Sequence, residues 1–144
     1  MKTRFIDPGE FQCSAVEIPL NGAKGLIFIS GQLPLNPETG NVIPYLGGNI
    51  KGTAKHQTER CILNLQIVLK KEGLSLSNVV KTTVFIDADE YAEILPVMNE
   101  VYANFFPEGG SEGSYIRKPA RSVVCSKIPM EGAFIMIEAI AFHA

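Results

Sequence analysis

Apolar and polar positions along the chain follow two periods, one near 3.6 and one near 2, and the switches between them lay out the elements. Cys13 to Ile18 and Leu26 to Ser30 are short β-type runs on either side of Asn21-Gly22, a turn signal, and predict a hairpin. Pro34-Leu-Asn-Pro-Glu-Thr-Gly40 is loop chemistry throughout. Between Thr53 and Glu72 the apolar residues Cys61, Ile62, Leu65, Val68 and Leu69 form a helical stripe, and Gly73 stands where a left-handed cap belongs. Val79 to Ile86, β-branched and bounded by Ser77-Asn78 and Asp87, predicts a strand. A second helical stripe runs through Tyr91, Ile94, Leu95, Met98, Val101, Tyr102 and Phe105. Pro96 lies inside it, so a short turn is expected first, with the main helix starting near Pro96, where proline is tolerated.

Pro107 to Lys118 contains Gly109, Gly110 and Gly113 and is expected to be a mobile loop leading towards Arg121, placed to cover whatever that residue binds. The last two strands are expected over Ser122 to Ser126 and Phe134 to Phe142, around Pro129-Met-Glu-Gly132. The predicted order is ββαβαββ. In the final strand Ile135, Ile137, Ala139 and Ala141 share one face and Phe134, Met136, Glu138 and Ile140 the other, so both faces are mainly apolar. Two helices cannot cover both faces of such a sheet, and a homo-oligomer that buries the second face is the expectation.

Composition narrows the picture. With 144 residues, 46% hydrophobic and 19% charged, the chain suffices for one well-buried core, and residues 1–144 are read as one domain. A net charge of −2 and the absence of a basic run longer than Lys70-Lys71 argue against nucleic acid as a partner. Cys13, Cys61 and Cys125 have no CxxC spacing, and Met1-Lys-Thr-Arg4 is not followed by an apolar signal core, so a cytoplasmic protein with reduced thiols is expected. No apolar run is long enough for a membrane span.

Arg121 carries the candidate chemistry. It enters the otherwise apolar run Pro119-Ala-Arg-Ser-Val-Val-Cys-Ser-Lys-Ile-Pro129. Guanidinium stays charged, and its planar fork of donors suits a carboxylate. The bland alternative is a structural ion pair with a carboxylate such as Glu138. Cys125 reads as a buried small hydrophobe rather than a nucleophile, His56 as a helix surface residue and His143 as a terminal one, so no histidine-based catalytic pair is supported.

Five blocks in order, Ile29-Ser-Gly-Gln-Leu-Pro-Leu-Asn-Pro-Glu-Thr-Gly40, Val79-Val-Lys-Thr-Thr-Val-Phe-Ile86, Asn99-Glu-Val-Tyr-Ala-Asn-Phe-Phe106, Pro119-Ala-Arg-Ser122 and Ile137-Glu-Ala-Ile-Ala141, resemble the reactive-intermediate deaminases, the RidA or YjgF family. The resemblance runs nearly end to end. It implies an α+β, chorismate-mutase-like subunit with a mixed sheet and two helices on one face, assembled as a trimeric barrel with ligand clefts between subunits. It implies no metal and no organic cofactor. Typical members hydrolyse 2-imino acids, or their enamine tautomers, to 2-keto acids and ammonia. By this resemblance Arg121 is the catalytic residue that grips the substrate carboxylate, Ser30 and Gly31 border the ligand, and Asn99 lies near the cleft, contacting the ligand or buttressing the loop.

The chain departs from the family where water would be activated. Val123 stands where typical members carry cysteine, and the family's Glu-Ile-Glu reads Met136-Ile-Glu138. Glu138 is on the same strand face as Met136 but about 6 to 7 Å further along. The family's N-terminal tyrosine is not found in register near Phe11, Gln12 and Cys13, and Tyr115 is a candidate substitute. Val123 and Met136 make the cleft more apolar, which favours a larger, more apolar carboxylate substrate in a biosynthetic pathway. Three functions follow in order: a hydrolase of imino or enamine acids or a related enzyme, a non-catalytic carboxylate-binding or chaperone-like protein, and a ribonuclease.

Overall fold

The structure, a computed structural model, describes residues 4–8, 13–17, 21–22, 24–45, 47–106 and 118–143, the first two segments as backbone only. The elements are β1 (Arg4–Pro8), β2 (Cys13–Glu17), β3 (Gly25–Gln32), α1 (Ile50–Lys71), a 3-10 turn over Leu76–Asn78, β4 (Val79–Asp87), α2 (Tyr91–Phe105), β5 (Ala120–Ser126) and β6 (Ile135–His143). From Cys13 onward this is the expected ββαβαββ order, with β1 added ahead of it. The sheet runs β1-β2-β5-β4-β6-β3. β4 is parallel to β5 and antiparallel to β6, and β3 is antiparallel to β6, so the sheet is mixed.

The predicted hairpin between Cys13 to Ile18 and Leu26 to Ser30 is not the pairing found. Gly22 does adopt the left-handed turn conformation, φ +73°. β2, however, is bonded to β1 and meets β5 at Cys13 and Ala120, while β3 lies along β6 from Gly25 opposite His143 to Gln32 opposite Ile137. By these pairings β2 and β3 run in the same direction, so a turn signal marks a local bend without making its flanking strands a hairpin.

Helix α1 starts three residues before the predicted Thr53 because Asn49 caps it, its side chain accepting from Gly52 N at 2.9 Å. It ends as its sequence predicts. Leu74 N donates to Leu69 O and Gly73 N to Lys70 O, with Gly73 at φ +72°, a Schellman closure that satisfies the last carbonyls. Cys61, Ile62, Leu65 and Leu69 are buried, with Val68 packed at their margin.

Helix α2 departs from expectation by running unbroken through Pro96. Only the bond from position 96 to the Ala92 carbonyl is lost, and both residues are exposed, so water can take that carbonyl. Ile94, Met98 and Tyr102 then face the sheet over β4, whose Thr82, Val84 and Ile86 are buried on that side, while Ile135, Ile137, Ala139 and Ala141 of β6 are buried beneath α1. Both helices lie on this one sheet face, α1 over β6 and β3 and α2 over β4.

Two buried amides of α1 fasten loops to this core. Gln57 donates to Ile43 O and Gly132 O and accepts from Phe134 N, and Asn64 donates to Leu33 O and Leu35 O. Among the described residues the opposite sheet face carries no helix. Phe28 is 72% exposed there and Val124 38%.

Candidate functional site

Arg121 is the second residue of β5, opposite Thr82 of β4, and so projects to the helix-covered face. It is half-buried beneath α2. Its Nη1 donates to Met98 Sδ at 3.7 Å, and its guanidinium carbon lies 4.9 Å from the Tyr102 ring centroid, a cation–π distance. Tyr102 is itself fixed, its hydroxyl 2.7 Å from Thr82 Oγ1. Burial pulls the Arg121 guanidinium below its ordinary pKa, and the Tyr102 hydroxyl opposes the shift. Partial desolvation strengthens the attraction of a guanidinium for an anion, and its planar fork is the geometry that a carboxylate fits.

Asn99 belongs to the same neighbourhood. Because α2 begins at Tyr91, Asn99 sits in mid-helix rather than near a helix start, and capping is excluded. It is three residues before Tyr102 on the same helical flank. Val97, Glu100, Val101 and Asn104 border the groove towards α1, which places Asn99 on the flank away from α1. Its Oδ1 is buried without a hydrogen-bond partner. Val123, two residues after Arg121, points to the same sheet face opposite Val84 and packs against the core.

Ser30, Gly31 and Met136 lie elsewhere. Met136 pairs with Phe85 and Glu138 with Thr83, both on the helix-free face. Ser30 and Glu138 line a cavity of about 340 Å³ on that face with Phe28, Lys81, Thr83 and Ile140. Lys81 Nζ donates to Ser122 Oγ at 2.8 Å nearby. Gly31 is at a register shift between β3 and β6, and Met136 covers it.

The predicted site residues therefore form two groups, Arg121, Asn99 and Val123 on one face and Ser30, Gly31 and Met136 on the other. Glu138, on the second face and two strands away from Arg121, does not make the ion pair considered for it. Tyr102 and Met98, which the sequence shows only as members of an apolar stripe, complete the arginine site. The signal for Tyr102 was its hydroxyl, which needs a partner when buried. Cys125 is exposed, against the expectation of burial, because β5 has no ladder on its outer edge beyond Ala120 among the described residues. His56 is exposed on α1 as expected. Tyr115 and the glycine-rich segment 107–117 lie outside the described residues, as do Phe11 and Gln12. Among the described residues, no three His, Cys, Asp or Glu side chains converge as a metal site.

Residues 14–143 match the family described as Endoribonuclease L-PSP. A RutC family protein of Pyrococcus abyssi is 40% identical over 118 residues, covering 81% of this chain and 77% of that one. The chain belongs to the RidA/YjgF family. The mitochondrial protein mmf1 of Schizosaccharomyces pombe is 39% identical over 125 residues, 84% of this chain and 64% of its own length. Among solved structures, a protein of the conserved Rid family from Yersinia pestis superposes with a TM-score of 0.64 at 26% identity, over 98% of this chain and 99% of its own. The α+β fold with two helices on one face of a mixed sheet is thus the fold of this RidA/YjgF chain and its relatives. No helix among the described residues is long and apolar enough to cross a membrane.

Proposed function

We propose that this RidA/YjgF protein hydrolyses 2-imino acids, or their enamine tautomers, to 2-keto acids and ammonia, at sites shared between the subunits of a cytoplasmic homotrimer. The observation that carries the proposal is the half-buried Arg121 guanidinium stacked on Tyr102. A carboxylate there replaces lost hydration with two charge-assisted bonds and fixes the neighbouring imine carbon. Water adds its oxygen to that carbon while a proton passes to nitrogen, giving a carbinolamine. The C–N bond then breaks, ammonia leaves with a second proton and the carbonyl forms.

The shared-site part of the proposal is supported by the separation of the two residue groups. The second group is where a neighbouring subunit would meet the carboxylate, and the exposed Phe28 and Val124 give that neighbour an apolar surface to cover.

Val123 and Met136 supply neither a thiol nor a carboxylate to activate water, and such assistance is commonly worth about 10² to 10⁴ in rate. The proposed hydrolase is therefore a slow one on short imino acids, or works on a larger, more apolar carboxylate. The same two residues favour a second reading, a non-catalytic carboxylate-binding or chaperone-like protein. Ribonuclease activity ranks last, since the net charge of −2 offers little to a phosphate backbone.

The test is ammonia release from 2-imino acids generated in situ by an amino-acid oxidase, comparing wild type with Arg121→Ala. Acceleration that disappears in the variant supports the hydrolase. Carboxylate binding without acceleration transfers the conclusion to the binding protein, and a wild type that neither binds nor accelerates removes both.

A further inference from the structure

Gly31 is kept small by a side chain of its own subunit. A Cβ built there would lie 2.7 Å from Met136 Sδ, 3.0 Å from Cγ and 3.1 Å from Cε, so the end of Met136 rests on the Gly31 backbone. Gly31 has no left-handed φ, so its need for glycine is spatial. The ladder between β3 and β6 is interrupted between Ile29 and Gln32, which takes the Ser30-Gly31 backbone out of regular pairing and leaves it available to a polar ligand. Met136 covers that backbone.

The thioether does not stand alone. Phe85 is its cross-strand partner, and Val124 is the partner of Phe85 on the next strand. Gly31, Met136, Phe85 and Val124 thus make an apolar band across four strands, beside the polar row of Ser122, Thr83 and Glu138. Met136 and Phe85 are each half-buried.

We propose that Met136 is the specificity-determining residue of this site, a displaceable thioether over Gly31 that favours 2-imino acids with an aromatic side chain over those with short alkyl chains. The proposal rests on the reading of Arg121 as carboxylate anchor and of the site as shared between subunits. Methionine has three rotatable bonds and leaves Gly31 without backbone movement. Leaving forfeits its contacts there, however, and the ligand must return them. An aromatic ring does so, by packing on the sulfur and on the edge of the Phe85 band. A methyl or ethyl group does not.

The experiment uses 2-keto acids as non-reacting stand-ins for the imino acids. Dissociation constants of phenylpyruvate and 2-oxobutanoate are measured by calorimetry for wild type, Met136→Ala, Met136→Gln and Arg121→Ala. Wild type prefers phenylpyruvate, and Met136→Ala lowers that preference about two- to tenfold, the range sulfur–aromatic contacts provide. Met136→Gln keeps the length of the side chain while replacing the thioether, so it reads the same loss if the alanine variant does not fold. A preference unchanged in both Met136 variants, with binding of both acids abolished by Arg121→Ala, overturns the role of Met136 and leaves the carboxylate site standing. Binding that survives Arg121→Ala unchanged overturns the carboxylate reading instead.

Discussion

If one carboxylate site takes Arg121 from one chain and Gly31 from the next, two variants that are each inactive should complement each other. Within a single chain the two residues lie on β5 and β3, with β4 and β6 between them. Three strand spacings are roughly 14 Å, and the Arg121 side chain projects to the face opposite the one where Met136 covers Gly31, so a small acid gripped by Arg121 does not reach Gly31 of its own chain. Arg121→Ala removes the first half. Gly31→Val removes the second, because its ordinary backbone angle accepts valine while the new side chain must displace the Met136 tail, only 2.7 Å from the Cβ position. If the assembly is the proposed trimer, then on co-expression of equal amounts of the two variants a site needs an intact Arg121 and an intact neighbouring Gly31, each present with even chance. About one quarter of sites are then restored, against about none in either parent alone. The assay is calorimetric counting of 2-keto acid sites per chain, on trimers purified through two different affinity tags in succession so that only mixed assemblies remain. This selection removes the pure trimers and raises the recovered fraction to about one third, since every mixed trimer of three sites has one junction of the productive order. Mixed assemblies that bind nothing would refute the shared site and place both halves of recognition in one chain.

The remaining predictions concern the scaffold. Phe28→Asp, placing a charge on the open face at a residue 72% exposed, should lower the mass in solution seen by light scattering while leaving the helical circular dichroism intact; an unchanged mass would mean that this face is not the subunit interface. Gln57→Leu strands two carbonyls and one amide and should cost about 3 kcal/mol at roughly 1 kcal/mol per bond in urea unfolding, whereas a cost within error of zero would show that water replaces the amide. Thiol labelling followed by mass spectrometry should mark the exposed Cys125 quickly and Cys61 only on unfolding. Burial raises the Cys61 thiol, so its neutral form is the folded one: its contribution to stability is complete below the ordinary thiol pKa and falls away as pH rises above it. Cys61→Ala should therefore lose the wild-type's extra sensitivity to alkali, and an unchanged alkaline unfolding profile would contradict the shift.

Much of this fold was legible because periodicity and burial agree. The stripe of α1, its Gly73 cap and the alternation in β6 each follow from one local rule, and nothing elsewhere overrides them. Pro96 misled because the cost of an internal proline depends on whether the freed carbonyl can find water, and exposure is not written in the local sequence. The hairpin misled for a related reason, since Asn21-Gly22 specifies a local turn without specifying how the flanking strands pair. Arg121 was legible as a candidate anchor because a lone guanidinium in an apolar strand stands out in any register. Its separation from Gly31 and Met136 was not. Alternation gives the relative faces of residues within one strand, but only the pairings Arg121–Thr82 and Phe85–Met136 show that the two groups occupy opposite sides of the sheet. Thr82 and Phe85 are three apart on β4, and an odd step along a strand reverses the face. That parity, carried by the strand between them, is what the proposed shared site rests on: if the two groups meet around one ligand, they come from two copies of the chain.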